Sequence, residues 1–151
     1  MIYWRSLKLL NATHNAKDLY HEQVKRALEK DGWQITHDPY ELRIGGVEMY
    51  IDIGAEQIIA AQKGNDKIAV EVKSFISPSR ISDFHLAHGQ FLDYRYALED
   101  EDPERILYLA VPRFVYQTFF NLAFINRVVQ RSQIKLLVYD LEKETIEQWI
   151  K

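Results

Sequence analysis

Glu71 and Lys73 stand two residues apart in the segment Ala69-Val70-Glu71-Val72-Lys73, and their types and spacing suggest chemistry. On a strand, side chains two apart leave the same face. Asp52 belongs to an earlier alternating segment, in which Val47, Met49, Ile51 and Ile53 take one face and Glu48, Tyr50 and Asp52 the other. Carboxylates from Asp52 and Glu71 would offer hard oxygen ligands to a divalent cation, Mg²⁺ first and Mn²⁺ as a substitute. A lysine beside them can orient or deprotonate a water and stabilise charge on a phosphate. These are the minimum parts for metal-assisted phosphodiester hydrolysis. Acid-x-lysine is also a common chance spacing, and a charged strand face is usually only solvated. Glu48 shares the polar face with Asp52 and is an alternative ligand.

These side chains need a scaffold, and the hydrophobic periodicity supplies one. Residues 16–31 predict a helix capped by Asn15, with Tyr20, Val24, Ala27 and Leu28 as its buried face. Gly32 ends it and residues 33–37 read as a short strand. Residues 47–53 form the strand of Asp52, released by Gly45-Gly46. Residues 57–63 and 67–75 read as a hairpin turning at Gly64-Asn65-Asp66. A long helix follows Pro78, capped by Ser82 and running to residue 99, with Phe84, Ala87, Phe91, Tyr94 and Leu98 as its apolar stripe. The unbroken apolar run in residues 105–111 predicts a strand covered on both faces. Helical segments at 114–120 and 124–131, then strands at 135–140 and 145–150, complete the order. The fold class expected is α/β in the α+β sense, a mixed sheet between helices.

Composition narrows the function. The chain has 151 residues, 47% hydrophobic and 27% charged, enough for one packed domain. Residues 1–15 are expected to form an extension, and 16–151 a single domain. With no cysteine, disulfides, thiolate metal sites and a cysteine nucleophile are excluded. No apolar run has the length of a membrane span, and the N-terminal residues lack a signal-peptide pattern, so no membrane contact and a cytoplasmic location are expected. The net charge of −3 argues against tight autonomous binding to nucleic acid. Basic residues do gather late in the chain: Arg113, Arg127, Arg131 and Lys135. Arg127 and Arg131 are four apart on one helix face and are the candidate DNA phosphate contacts, against the plainer reading of solvated helix charges.

Asp52, then Glu71-x-Lys73, then Gln90-x-x-x-Tyr94 resembles the motif series of PD-(D/E)xK nucleases, with the glutamine–tyrosine helix similar to the RecB-like branch. The resemblance implies a restriction endonuclease-like core, a metal on the two acids, a catalytic Lys73, and Gln90 placing the substrate or the lysine. Tyr94 also belongs to the apolar stripe, where a packing role is the simpler reading. Two departures stand out: Ile51 precedes Asp52 where the pattern has proline, and the gap from Asp52 to Glu71 holds an extra apolar segment, Ile58 to Ala61. In Mrr-like relatives the first helix carries a glutamate; counted back from Gly32, that register falls on His21, with Glu22 next to it. A neutral imidazole can take a proton or bind a metal, but a histidine at the edge of an apolar face is more often packed or hydrogen-bonded. His85 and His88, three apart on the second helix, have a spacing that permits a metal pair, but with no third nitrogen ligand evident nearby a solvated or hydrogen-bonded role is the simpler reading.

Longer blocks are similar to the XisH family: Ala16-Lys17-Asp18-Leu19-Tyr20-His21, Lys30-Asp31-Gly32-Trp33, Ala69 to Phe75, Ile81-Ser82-Asp83-Phe84-His85 and Glu104 to Pro112. That family is mainly cyanobacterial and is named for controlling excision of the fdxN DNA element during heterocyst differentiation. The resemblance implies a role in DNA rearrangement and an XisI-type protein partner, with homodimer formation left open. Two readings follow: a metal-dependent endonuclease, or a catalytically idle nuclease fold serving as a regulatory subunit.

Overall fold

Alternation of apolar residues along the central strands sorts the molecule into two packed layers on either side of one sheet. The structure, a computed structural model, describes residue 16 and residues 19–44, 46–49 and 58–151. The first helix, α1, covers residues 19–30, and residue 16 is also helical. The elements that follow are β1 (Gln34–His37), β2 (Leu42–Ile44), β3 (Val47–Met49), β4 (Ile58–Lys63), β5 (Asp66–Val72), α2 (Arg80–Glu101), β6 (Arg105–Pro112), α3 (Arg113–Thr118), α4 (Ala123–Arg131), β7 (Leu136–Asp140) and β8 (Thr145–Ile150).

Six strands form the main sheet in the order β1-β4-β5-β6-β7-β8. The β4–β5 hairpin is antiparallel, and its register sets Ile58 opposite Glu71. From the end of β5 the chain crosses over through α2 and returns as β6, parallel to β5, with Glu71 beside Leu109. β7 continues the parallel centre, while β1 and β8 close the edges antiparallel. This is the mixed sheet flanked by helices that the periodicity predicts. β6 sits in the middle and is buried from Leu107 to Pro112, as its continuous apolar run requires.

One sheet face presents Ile59, Ala61, Ile68, Val70, Val72, Tyr108, Ala110, Leu137 and Tyr139, which pack with Val24 and Leu28 of α1. The other presents Ile58, Ala69, Leu107, Leu109, Val111, Leu136 and Val138, covered by α2, α3 and α4 through Phe84, Phe91, Val115 and Ile125. Each large apolar side chain removed from water contributes about 1.5–3 kcal/mol, so the α2 stripe is a principal source of stability. By alternation Glu71 and Lys73 belong to the α2 face.

Three expectations need correction. The segment Leu42–Ile44 is a strand that the sequence reading missed, and it pairs with β3 in a separate two-stranded sheet. β4 pairs with β5 as the predicted hairpin requires, and the described part of the strand leading to Asp52, Val47–Met49, does not enter the main sheet. The N-cap of α2 is Ser79, not Ser82: the Ser79 hydroxyl accepts from the Ser82 amide at 3.3 Å. Starting one turn earlier leaves Ser82 inside the first turn and lets the Asp83 carboxylate accept from the Ser77 amide at 3.3 Å. α1 ends as expected at Gly32, whose φ of +89° suits glycine. The proposed Asn15 cap lies outside the described residues, as do residues 1–15. Among the described residues, no helix is long and apolar enough to cross a membrane.

Candidate functional site

Glu71 lies near the end of β5, and Lys73 is just beyond it. The Lys73 amide still donates to the Ala110 carbonyl, 3.2 Å away, so the β5–β6 pairing extends through Lys73. Both side chains are buried: Glu71 is 1% exposed and Lys73 7%. The Lys73 Nζ stands 3.9 Å from the Glu71 Oε1. A lysine that orients a water for hydrolysis is expected to face an open cleft. The structure instead encloses it beneath α2, because the strand alternation that aligns it with Glu71 also points both residues into the larger core. Removing two charges from water is costly, and mutual proximity offsets that cost only when both are present.

Tyr94 closes the site from α2. It is buried, and its hydroxyl is pushed up to about 12, first by burial and then by the negative charges of Glu71 and Asp93. It therefore keeps its proton at neutral pH and is a donor rather than a base. Gln90 lies one turn earlier on the same helix and is only half-buried, beside the buried stripe rather than within it.

Immediately after Lys73 come Ser74 and Phe75, both buried. Phe75 has φ of +55°, a strained value for an aromatic residue. Its ring is held edge-on to Phe120 at 5.5 Å and near Phe119 at 6.1 Å, contacts that compensate the backbone cost. This sharp exit fixes where the strand ends, and with it the place of Lys73. Nothing in the sequence marks Phe75 for this role, since glycine or asparagine is the usual signal for such a backbone.

Asp52 lies outside the described residues, as do the side chain of Glu48 and the remainder of that strand. His21 is not brought to Glu71 and Lys73. It belongs to α1, on the opposite layer of the sheet, and its Nε2 stands 2.8 Å from the Asp38 Oδ1. The Lys25 Nζ is 2.8 Å from the other Asp38 oxygen and 3.7 Å from Glu22. Ligand atoms of His21, Glu22 and Asp38 do lie within 4.8 Å of one another. An ammonium group already sits on these carboxylates, however, so an ion-pair network tying α1 to the end of β1 is the better account. His88 stacks parallel to Phe84 at 5.8 Å and its Nε2 stands 2.8 Å from the Ser132 hydroxyl, a structural role. His85 is exposed. Arg127 and Arg131 are exposed on α4, whose Ile125 and Val129 point into the core. Arg113 is engaged by Glu147 at 3.0 Å and Asp140 at 3.7 Å.

The fold and this centre together define an α+β protein with a mixed sheet and a buried acid–lysine pair beneath its crossover helix. The chain belongs to the XisH family: the family model described as XisH protein matches residues 14–147. A solved structure described as an XisH family protein from Nostoc punctiforme is 51% identical; it covers 88% of this chain and 99% of its own, with a TM-score of 0.82. A second, described as an fdxN element excision controlling factor protein from Anabaena variabilis, is 52% identical, with 89% and 99% covered and a TM-score of 0.83. No match to the chain is found among curated proteins.

Proposed function

We propose that this chain is a DNA-processing factor that controls excision of a DNA element, acting through metal-dependent phosphodiester hydrolysis centred on Glu71 and Lys73. The observation that carries the reading is the pair itself, a carboxylate and an ammonium buried 3.9 Å apart on one strand face, where an apolar pair would pack at lower cost. An antiparallel hairpin followed by a helical crossover to a parallel strand, with the pair at the hairpin's second arm, supports a PD-(D/E)xK-type core. The relative from Anabaena variabilis, named for control of fdxN element excision, supports the biological setting.

A buried carboxylate suits a hard cation, so Glu71 fits Mg²⁺ or Mn²⁺, with Asp52 as the second ligand. When bound, the metal would lower the pKa of a water and polarise the phosphate. Lys73 would orient that water and balance charge on the phosphate oxygens. Gln90, half-exposed at the edge of the site, would position the substrate backbone. Tyr94, kept protonated, would hold the Glu71 side by donating a hydrogen bond.

A second reading has support in the same burial. A site this enclosed, in a chain of net charge −3, suits an idle nuclease fold that regulates through an XisI-type partner. Calorimetric titration of Mg²⁺ or Mn²⁺ into wild type and into the Asp52→Ala, Glu71→Ala double variant tests the metal site. Binding only by wild type is expected; equal binding, or none by either, removes the metal and favours the regulatory subunit.

A further inference from the structure

At the opposite end of β5 from Lys73, on the α1 face, the described residues of α1 end at residue 30 and leave an opening over β5, β6 and β8. The space holds a pocket of about 540 Å³ lined by Trp33, Ile68, Ile106, Tyr108 and Trp149, with charged side chains at its rim. That volume lies within the range of small-molecule sites, about 300–1,000 Å³. The aromatic wall is continuous: Trp33 and Trp149 lie 5.8 Å apart at 46°, and Tyr108 meets Trp149 edge-on at 4.8 Å. Ile106 is 42% exposed here, an apolar strand residue facing the opening.

The rim carries both signs. Lys63 and Asp31 are already used: the Lys63 Nζ donates to the Asp31 carbonyl at 2.6 Å, and the Asp31 carboxylate accepts from the Trp33 indole at 3.2 Å. Lys67, Lys151, Asp66 and Glu104 form no ion pair among the described residues and remain available. An aromatic wall alone would accept any flat apolar group. A wall with lysines and acids at separate points suits a ligand that has a flat ring, an anion at one end and N–H donors on the ring edge. A nucleotide with an amino-bearing base has all three: the ring stacks, the phosphate meets a lysine, and the exocyclic amine donates to a carboxylate. The rim holds as many acids as lysines, so a cation, which the indoles alone would attract, is the competing guest that the test must exclude.

We infer that the Trp33–Tyr108–Trp149 pocket binds a nucleotide with an amino-bearing base, adenine, cytosine or guanine, either free or as an unpaired base of single-stranded DNA. The site is separate from Glu71 and Lys73 and does not depend on their activity.

Trp33 and Trp149 are two of the chain's three tryptophans, so their fluorescence reports directly on the pocket. In full-length protein carrying Trp4→Phe, titration with dCMP, dAMP, dTMP and short oligonucleotides should give saturable quenching. dCMP and dAMP should bind more tightly than dTMP, which lacks the exocyclic amine. The Lys67→Glu, Lys151→Glu variant changes only surface charge and should weaken binding about tenfold, the equivalent of one charge-assisted hydrogen bond. EDTA, which would strip any metal held at Glu71, should leave binding unchanged. Tighter binding of oligo(dC) than of dCMP assigns the site to single-stranded DNA, and equal binding to the free nucleotide. The inference is overturned if no nucleotide quenches at millimolar concentration, if charge reversal has no effect, or if tetramethylammonium binds as well as dCMP.

Discussion

Lys73 and Glu71 show how burial changes the meaning of a motif. Their spacing put both on one face of a strand, which was legible from the sequence. Their enclosure was not, because it depends on α2 lying over that face and on Phe75 turning the chain inward. The consequence for stability is testable. Lys73→Ala leaves the Glu71 charge buried beside Tyr94, and should destabilise the fold by about 3–5 kcal/mol. Urea denaturation of wild type and variant reads this directly, and Lys73→Met, Glu71→Leu together should recover much of the loss. An unchanged midpoint in Lys73→Ala would contradict the buried pair. His21 illustrates the opposite case. Helix register selected it, but register says nothing about which layer a helix joins, and Asp38, its partner, arrives from a segment 17 residues away.

Elements were easier to read where one signal dominated. The α2 stripe of Phe84, Ala87, Phe91, Tyr94 and Leu98 is buried as its spacing predicts, and the Gly64-Asn65-Asp66 turn separates two paired strands. The failures lie where two local signals compete. Ser79 and Ser82 both resemble helix caps, and only the geometry after Pro78 decides between them. β2 is three residues long, too short for alternation to show, and its pairing with β3 holds the described part of the Asp52 strand outside the main sheet. The cap assignment predicts that Ser79→Ala costs about 1 kcal/mol, as N-cap losses do. Ser82→Ala, inside the first turn, should cost clearly less. Thermal denaturation of the two single variants separates these assignments, and the reverse ranking would restore Ser82 as the cap.

At the scale of the whole molecule, net charge limits how the proposed DNA-processing factor could bind DNA. A net charge of −3 gives no general attraction to phosphates, so affinity must come from local basic surface or from a partner. Arg127 and Arg131 are exposed on α4 and form no ion pair among the described residues, whereas Arg113 is held by Glu147 and Asp140. If Arg127 and Arg131 contact DNA, wild type should bind weakly with a steep salt dependence. The Arg127→Ala, Arg131→Ala variant should then bind all sequences less tightly and with a shallower slope, because phosphate contacts carry no sequence information. Fluorescence anisotropy across a salt series measures both quantities. Identical curves for the two proteins would remove these arginines from the DNA surface.

The most direct test of the account is DNA cleavage itself, measured on double-stranded, single-stranded and branched substrates with Mg²⁺ or Mn²⁺, with and without an XisI-type partner. Glu71→Gln keeps the size of the buried side chain while removing its charge, and circular dichroism can establish that the variant is folded. Wild type should cleave at least one substrate in a metal-dependent manner, and chelation or Glu71→Gln should abolish the activity. Cleavage by Glu71→Gln at the wild-type rate, or no cleavage by wild type under any of these conditions, would contradict a hydrolytic centre at Glu71 and Lys73.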